Sequence, residues 1–342
     1  MTGLSRACMK LAVGFITYND SSVRYLPDFL PSLAVALKFL DSSEYKIYAF
    51  DNSEAGYEAN RLALQSFQQS SAEKGEVGLI YQAPGRNLGF ARAYNILMNQ
   101  AREAGAEYFL VINPDTLLEP EAISRLVEAL DADKSLAAAC PKILRWDFVH
   151  HQKTKIIDSC GLILKSGLRF RDLGQGNEDQ GQFATTPIIG PSGATALFRL
   201  SALQKIKETA LSQAKGEQYF DEHFFIYKED CDLAYRLYWA GLSTKLVSSA
   251  VVYHDRTAAS SGQGFWRDLS HRSQKNRAVR SWSFRNQLIL FVKHWKSQTF
   301  VNQIIIVFRI LSMFIFSLIL EQFLLKQVPF VFCPDKVLTN VK

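Results

Sequence analysis

Apolar and polar positions alternate in blocks along the first 130 residues. Leu11–Thr17 (LAVGFIT) is an apolar run that closes in the polar stretch Tyr18-Asn19-Asp20-Ser21-Ser22. A helical pattern follows over residues 26–40, with Pro27 near its first turn, where a proline is tolerated. Residues 45–50 form a second apolar run, closed by Asp51-Asn52-Ser53, and a polar helix is predicted over 59–70. Residues 77–81 make a third run, which ends in Gly85-Arg86-Asn87-Leu88-Gly89-Phe90-Ala91 before a helix through 95–104. Tyr108–Ile112 is the fourth, ending in Asn113-Pro114-Asp115 ahead of a helix over 121–131. Four short apolar strands alternating with four helices predict a parallel sheet covered on both faces.

Each of these strands ends in a polar cluster, and open α/β sheets bind ligands at the carboxyl ends of their strands. Thr17, Tyr18, Asn19, Asp51, Asn52, Asn87, Asn113 and Asp115 are thereby expected around one crevice. Taken singly, each is an ordinary turn or cap residue. Gly89 permits close backbone approach, and the helix after it offers an N-terminus to a phosphate. The pattern then changes. Strands are predicted over 136–143, 156–164, 194–199 and 245–253, with a loop rich in Arg, Asp and Gly over 168–181. Small residues, Ser192 and Gly193, precede the third of these strands, and His254 ends the last.

Residues 219–241 (YFDEHFFIYKEDCDLAYRLYWAG) carry Asp221, Glu222, Glu229, Asp230 and Asp232 among large apolar side chains. Buried charge is costly unless it is paired, metal-bound or catalytic. A helix dipole accounts for one or two of these acids. Asp232 and Arg236 are one helical turn apart and suit a salt bridge. Asp115 could hold a hard divalent cation, with His254 as a second ligand; Mg²⁺ and Mn²⁺ both suit that pair. A carboxylate of the acidic segment could serve as a base near an acceptor hydroxyl.

These residues also occur as motifs in register. Ile16-Thr17-Tyr18-Asn19, Asp51-Asn52-Ser53, Asn87 to Ala91 with Asn95, and LVINPD (110–115) resemble successive motifs of the family 2 glycosyltransferases. So do Ser192-Gly193-Ala194, Phe220-Asp221-Glu222 with Phe225, Glu229-Asp230 with Asp232 and Arg236, and His254. The pattern is most similar to the bacterial rhamnosyltransferase branch, whose usual donor is dTDP-L-rhamnose. The resemblance implies a GT-A fold, a Rossmann-like mixed α/β sheet with helices on both faces, over residues 1–256. It divides this region into a nucleotide-binding half, 1–130, and an acceptor and catalytic half, 131–256. It implies inverting transfer onto a growing bacterial surface polysaccharide, such as O-antigen, or a lipid-linked glycan of the cell envelope. It places Thr17, Tyr18, Asn19, Asp51, Asn52, Asn87, Gly89, Asn95 and Asn113 in the nucleotide-sugar pocket. Asp115 and His254 fall at the metal. Asp230 falls at the catalytic base, with Glu229 beside it, and Ser192, Gly193, Asp221 and Glu222 on the acceptor side. Asn113 departs from the first Asp of the family's metal motif, and Ser192 stands where relatives often carry Cys. A UDP-sugar donor (galactofuranose, N-acetylglucosamine or glucose) is the alternative. A non-catalytic sugar-nucleotide scaffold is a further one, against which the retained Asp115, Asp230 and His254 argue.

Composition adds the setting. The chain has 342 residues, 48% of them hydrophobic, and a formal net charge of +6, which allows one large domain and an appendage. Its five cysteines have no metal-ligand or redox spacing and point to a reducing compartment. The N-terminus reads into a strand without a signal-peptide pattern. Between 266 and 296, eight Lys and Arg residues face one acid, Asp268, and tryptophans are interleaved. The uninterrupted run 310–320 is shorter than the roughly 20 apolar residues of a span. Basic residues beside an apolar helix suit an anchor on an anionic membrane, here the inner face of the plasma membrane. Residues 257–342 therefore read as a helical, membrane-associated C-terminal region. A dimerisation or core helix and a single true span remain alternatives, and no nucleic-acid recognition motif accompanies the basic stretch.

Overall fold

The computed structural model describes residues 9–72, 78–208, 216–256 and 276–332. Its strands are β1 (Leu11–Thr17), β2 (Tyr45–Asp51), β3 (Leu79–Gln82), β4 (Tyr108–Ile112), β5 (Thr116–Leu118) and β6 (Leu136–Asp147). They continue with β7 (Gln152–Ser159), β8 (Leu162–Lys165), β9 (Arg169–Asp172), β10 (Thr195–Arg199) and β11 (Ser243–His254). The α-helices are α1 (Asn19–Val23), α2 (Leu26–Leu37), α3 (Ala59–Ala72), α4 (Gly89–Glu103) and α5 (Ala122–Ala132). After these come α6 (Leu200–Leu203), α7 (Glu229–Trp239), α8 (Arg277–Lys293), α9 (Phe300–Leu320) and α10 (Pro329–Phe332).

Nine strands form one sheet in the order β3-β2-β1-β4-β10-β6-β11-β5, with β7 paired to β6. The strands of the first half are parallel, as their apolar runs predict. β10 then enters antiparallel between β4 and β6, which makes the sheet mixed. Alternation along the strands builds two cores. Leu11, Val13 and Phe15 join Leu110 and Ile112 under α2, α3 and α5. Ala12, Phe109 and Val111 face the other way, under α4 and α7. This is the α/β fold expected, with a C-terminal helical segment added.

Several boundaries differ from the sequence reading. α4 begins at Gly89, six residues before the predicted helix, because the polar start of that helix is capped by distant parts of the chain. Residues 156–164 are not one strand. Gly161, with φ of +97°, ends β7 and starts the separate β8–β9 hairpin. The 168–181 segment accordingly contains β9.

The C-terminal helices are packed rather than pendant. Phe284, Leu288 and Phe291 of α8 and Ile306 of α9 share a core with Leu162 and Phe170 of the hairpin and Tyr235 of α7. α9 is 21 residues long, so in length and composition it suffices to cross a membrane, contrary to the count from the uninterrupted run. Arg309 lies inside it, turned onto the hairpin, where it donates to the carbonyl of Gly167 and covers the Phe291 ring at 5.0 Å. The basic positions Arg267, Arg272 and Lys275, with Trp266, lie outside the described residues.

Candidate functional site

The carboxyl end of β4 lies beside the amino end of β10, with Thr195 opposite Ile112. The amide of Asn113 donates to the carbonyl of Ala194 at 2.9 Å. One residue earlier, the amide of Gly193 donates to Asp230 Oδ2 at 3.2 Å, and Asp230 Oδ1 accepts from the amide of Cys231 at 2.7 Å. Residues 113–115 and the carboxylate at the start of α7 therefore sit across one pair of strand ends. A Cβ on Gly193 would lie 3.3 Å from that of Asp230, so only a small residue fits here.

Asp115 and His254 meet at the far edge of this crevice, where β5 pairs with the end of β11. His254 Nε2 is 3.4 Å from Asp115 Oδ2, and Asp115 Oδ1 is buried without a partner. His254 Nδ1 is 2.9 Å from Asp158 Oδ2. Asp158 in turn receives Arg256 at 3.2 Å, and Arg256 reaches Asp172 at 2.9 Å. Burial opposes charge on His254, but Asp115 and Asp158 outweigh it and raise the imidazole to about 10. An orphaned carboxylate oxygen beside an imidazole nitrogen, whose other nitrogen is held by a carboxylate, fits a divalent cation that would take the place of the Nε2 proton. Asp158 was not among the residues singled out by sequence. Its signal is an acid at an inward position of an apolar strand.

Among the described residues, buried oxygens without partners occur at other strand and helix ends. Thr17 Oγ1 and Asn19 Oδ1 are such atoms, and Asn19 has a positive φ of 41°. Glu229 Oε2 is another. Burial, and then the charge of Asp230, raise the Glu229 carboxyl well above its ordinary value. Tyr18 is partly exposed at the start of α1. Asp51 is buried at the end of β2, where it accepts from Ser53, Asn60 and Tyr81.

Four other expected nucleotide positions hold the protein together instead. Asn52 accepts from the amide of Leu88 and donates to the carbonyl of Gly89. Asn87 Oδ1 accepts from the amide of Gly89. The amides of Phe90 and Ala91 donate to the carbonyl of Phe225. The N-terminus of α4 is thus closed by protein acceptors and does not present its amides to a phosphate. Gly89, at φ of +79°, has the Phe225 ring 2.5 Å from where a Cβ would be. Asn95 accepts from the amides of Tyr219 and Phe220 and donates to the Phe220 carbonyl and to Glu222. Its hydrogen-bonding capacity is filled within the chain.

The acidic segment divides in the same way. Glu222 is taken by Asn95 and faces Arg92 at 3.9 Å. Asp221 accepts from Lys293 at 2.6 Å and from the ring of His223 at 2.7 Å. Asp232 lies 2.8 Å from Arg236, 2.8 Å from His294 and 2.9 Å from Lys293. Asp221 and Glu222 therefore do not point their oxygens at an acceptor. Glu208, Asp221 and Asp232 are spaced as a cation site would be, and the Lys293 ammonium occupies its centre.

Comparison with known proteins follows this geometry. No curated protein matches the sequence. Among solved structures, the fold is similar to that of the mannosyltransferase PcManGT from Pyrobaculum calidifontis in complex with GDP-Man and Mn²⁺. That match has a TM-score of 0.53 at 13% identity and covers 96% of this chain and 75% of the other. It is also similar to GalNAc-T7 with UDP, GalNAc and Mn²⁺, at a TM-score of 0.50 and 12% identity, covering 84% of this chain and 48% of that one. Residues 108–334, well over half of the sequence, match the model of glycosyl transferase family group 2, and the chain belongs to that family.

Proposed function

We propose that this glycosyltransferase moves a sugar from a nucleoside-diphosphate donor to an acceptor hydroxyl with inversion, using Asp230 as the base. The observation that carries the reading is the Asp230 carboxylate, held by the Gly193 amide directly beside the Asn113–Asp115 strand end. The acceptor O–H gives its proton to Asp230. The freed oxygen bonds to the anomeric carbon as the carbon–oxygen bond to the diphosphate breaks, and the diphosphate leaves with the electron pair. A single base suffices, unlike the paired carboxylates of a glycosidase. Glu229 precedes Asp230 in sequence, with its Oε2 buried. Asp115 and His254 would hold a Mg²⁺ or Mn²⁺ ion. Such an ion neutralises charge developing on a departing diphosphate. Thr17, Tyr18, Asn19 and Asp51 are the nucleoside side of the crevice in this reading.

For the donor we take a working choice from the proteins similar in fold. The two similar structures named above hold GDP-mannose and UDP with GalNAc. A UDP- or GDP-linked sugar is accordingly our working donor, and dTDP-L-rhamnose is a competing arm of the same test. Nucleotide release is measured across UDP-, GDP- and dTDP-sugars with Mn²⁺ and lipid-linked glycan acceptors. Asp230→Asn is expected to lower turnover about 10³-fold while nucleotide binding is retained. Loss of nucleotide affinity in that variant would count against Asp230 as base.

The acceptor is taken to be lipid-linked because of α9. Its inner face, with Ile306, Ile310 and Phe314, is packed against the protein. Its outer face presents Ile304, Phe308, Leu311, Ile315, Leu318 and Ile319 to solvent. Exposed Lys296 and Lys326 flank the helix. We read this as a helix lying in an anionic membrane surface, with the catalytic crevice facing the cytoplasm. Flotation with phosphatidylglycerol vesicles tests it. Phe308→Glu with Ile315→Glu should abolish cosedimentation, and unchanged binding would refute the anchor.

A further inference from the structure

The turn from Phe224 to Lys228 immediately precedes Glu229 and Asp230. Phe225, Tyr227 and Lys228 have φ of 55°, 71° and 77°, although none is glycine. Non-glycine side chains resist this region, and such a turn persists only where its surroundings hold it. Two grips do so. From the nucleotide half, the amides of Phe90 and Ala91 donate to the Phe225 carbonyl at 2.7 and 3.4 Å. From α8, the side-chain nitrogen of Asn286 lies 2.8, 2.8 and 2.6 Å from the carbonyls of Phe224, Ile226 and Tyr227. Asn286 is fully buried. Its own oxygen accepts from Arg285 Nε at 3.1 Å, which fixes the amide so that its NH₂ faces the three carbonyls. The Phe225 ring also packs on Trp282, one turn earlier in α8, at 5.6 Å.

We propose that Asn286 is a positioning residue for glycosyl transfer: through the Phe224–Lys228 turn it sets the register between the Asn87–Ala91 loop and the carboxylate of Asp230. A side chain in the C-terminal region thereby fixes the base without touching substrate. Packing alone would not require a donor here. An apolar residue would fill the same space but take the donor from the Ile226 and Tyr227 carbonyls and leave Phe224 only the Ile226 amide, on a turn that resists its own conformation. The inference rests on the reading of Asp230 as the base.

Asn286→Ala in the full chain is the test, with three readouts. Nucleotide binding is followed by calorimetry with UDP, GDP and dTDP, each with Mn²⁺. It is expected to stay within threefold, whereas turnover falls at least 30-fold. Hydrogen exchange at the Phe90 and Ala91 amides, nearly 200 residues away in sequence, is expected to quicken at least tenfold. A purely structural residue would lower nucleotide binding and turnover in step, or neither, and either result overturns the proposal. Should Asn286→Ala not fold, Asn286→Gln carries the test. It keeps the amide but displaces it by one methylene, and it is expected to lose at least tenfold in turnover at unchanged nucleotide affinity. Wild-type turnover in Asn286→Gln would then overturn the proposal. If Asp230→Asn proves active, the base assignment fails by itself. The exchange of Phe90 and Ala91 still reports whether Asn286 holds the turn.

Discussion

Replacing Lys293 by Met keeps the stem of the side chain and removes its ammonium from between three carboxylates. In the structure, Lys293 Nζ is 2.6 Å from Asp221, 2.9 Å from Asp232 and 2.7 Å from Glu208, and the side chain is 21% exposed. The change leaves these three acids facing one fixed cation, Arg236, instead of two. Removing one partner of a buried ion pair costs about 3–5 kcal/mol. Asp232 keeps Arg236 and His294, and Asp221 keeps His223, which places the expected loss at the lower end, about 3 kcal/mol. The pH dependence follows from the carboxylates. Burial opposes ionisation of Asp221, but His223 and Lys293 hold its pKa down to about 2. Burial likewise opposes ionisation of Asp232, and Arg236 and Lys293 push it far below its usual range. A depressed acid stabilises the fold above its unfolded pKa, and this is lost as pH falls through the folded value. Lys293 itself is raised, because the charges of Asp232 and Asp221 outweigh its burial. Its contribution is full below the unfolded lysine pKa and lost above the folded one. The contributions of Asp221, Asp232 and Lys293 to the difference between wild type and variant should therefore be fully present at pH 7. At pH 3 the difference should have narrowed by at least about 1 kcal/mol. Urea unfolding followed by far-UV circular dichroism at pH 7 and pH 3 measures both quantities. Equal stability at pH 7, or a gap that does not narrow at pH 3, would refute the reasoning.

Two further outcomes are expected. Gly89→Ala must place a methyl group 2.5 Å from the Phe225 ring and 2.6 Å from its carbonyl, at a φ of +79°. The backbone strain alone costs about 1 kcal/mol, and displacement of the turn should reduce turnover more than stability; steady-state kinetics beside thermal melts separates the two. Asp158→Asn removes the carboxylate that holds His254 Nδ1. Mn²⁺ affinity by calorimetry should weaken about 10- to 100-fold, and unchanged affinity would exclude His254 as a ligand.

The first half of the fold was legible because its strands are buried on both faces. β1 and β4 coincide with the apolar runs, since nothing but burial decides where such strands begin and end. β8 and β9 were not legible. A short hairpin covered by α8 and α9 carries Lys165, Arg169 and Arg171 on its open face, and Gly161 breaks what otherwise reads as one continuous strand. The start of α4 was missed for a related reason. Its cap is the carbonyl of Phe225, and no local signal announces a partner so far along the chain. The Asp232–Arg236 pair, by contrast, depends only on helical spacing and is present as the sequence implied.

The five acids of the acidic segment divide by the partners that the fold gives them. All five acids satisfy the sequence criterion of charge among apolar neighbours. Asp221 and Asp232 are matched by Lys293, and Glu222 by Asn95, across 61 to 127 residues of chain. Asp230 and Glu229 have no such partners among the described residues. Asp230 is held by main-chain amides, which orient a carboxylate without supplying a counter-charge, and Glu229 retains an unpartnered oxygen. A similar division holds in the other half: among the described residues, Asn95 has its hydrogen bonds filled and Asn52 both donates and accepts, while Thr17, Asn19 and Asp115 each keep an unpartnered oxygen. Residue type and position along a strand end do not separate the two groups; their tertiary partners do. Lys293, His294 and Asn286, which supply such partners, all lie beyond residue 256. A chain ending there would leave buried carboxylates without Lys293 and release the Phe224–Lys228 turn from Asn286. The C-terminal helices therefore complete the packing of the preceding fold, whatever else their outer face does.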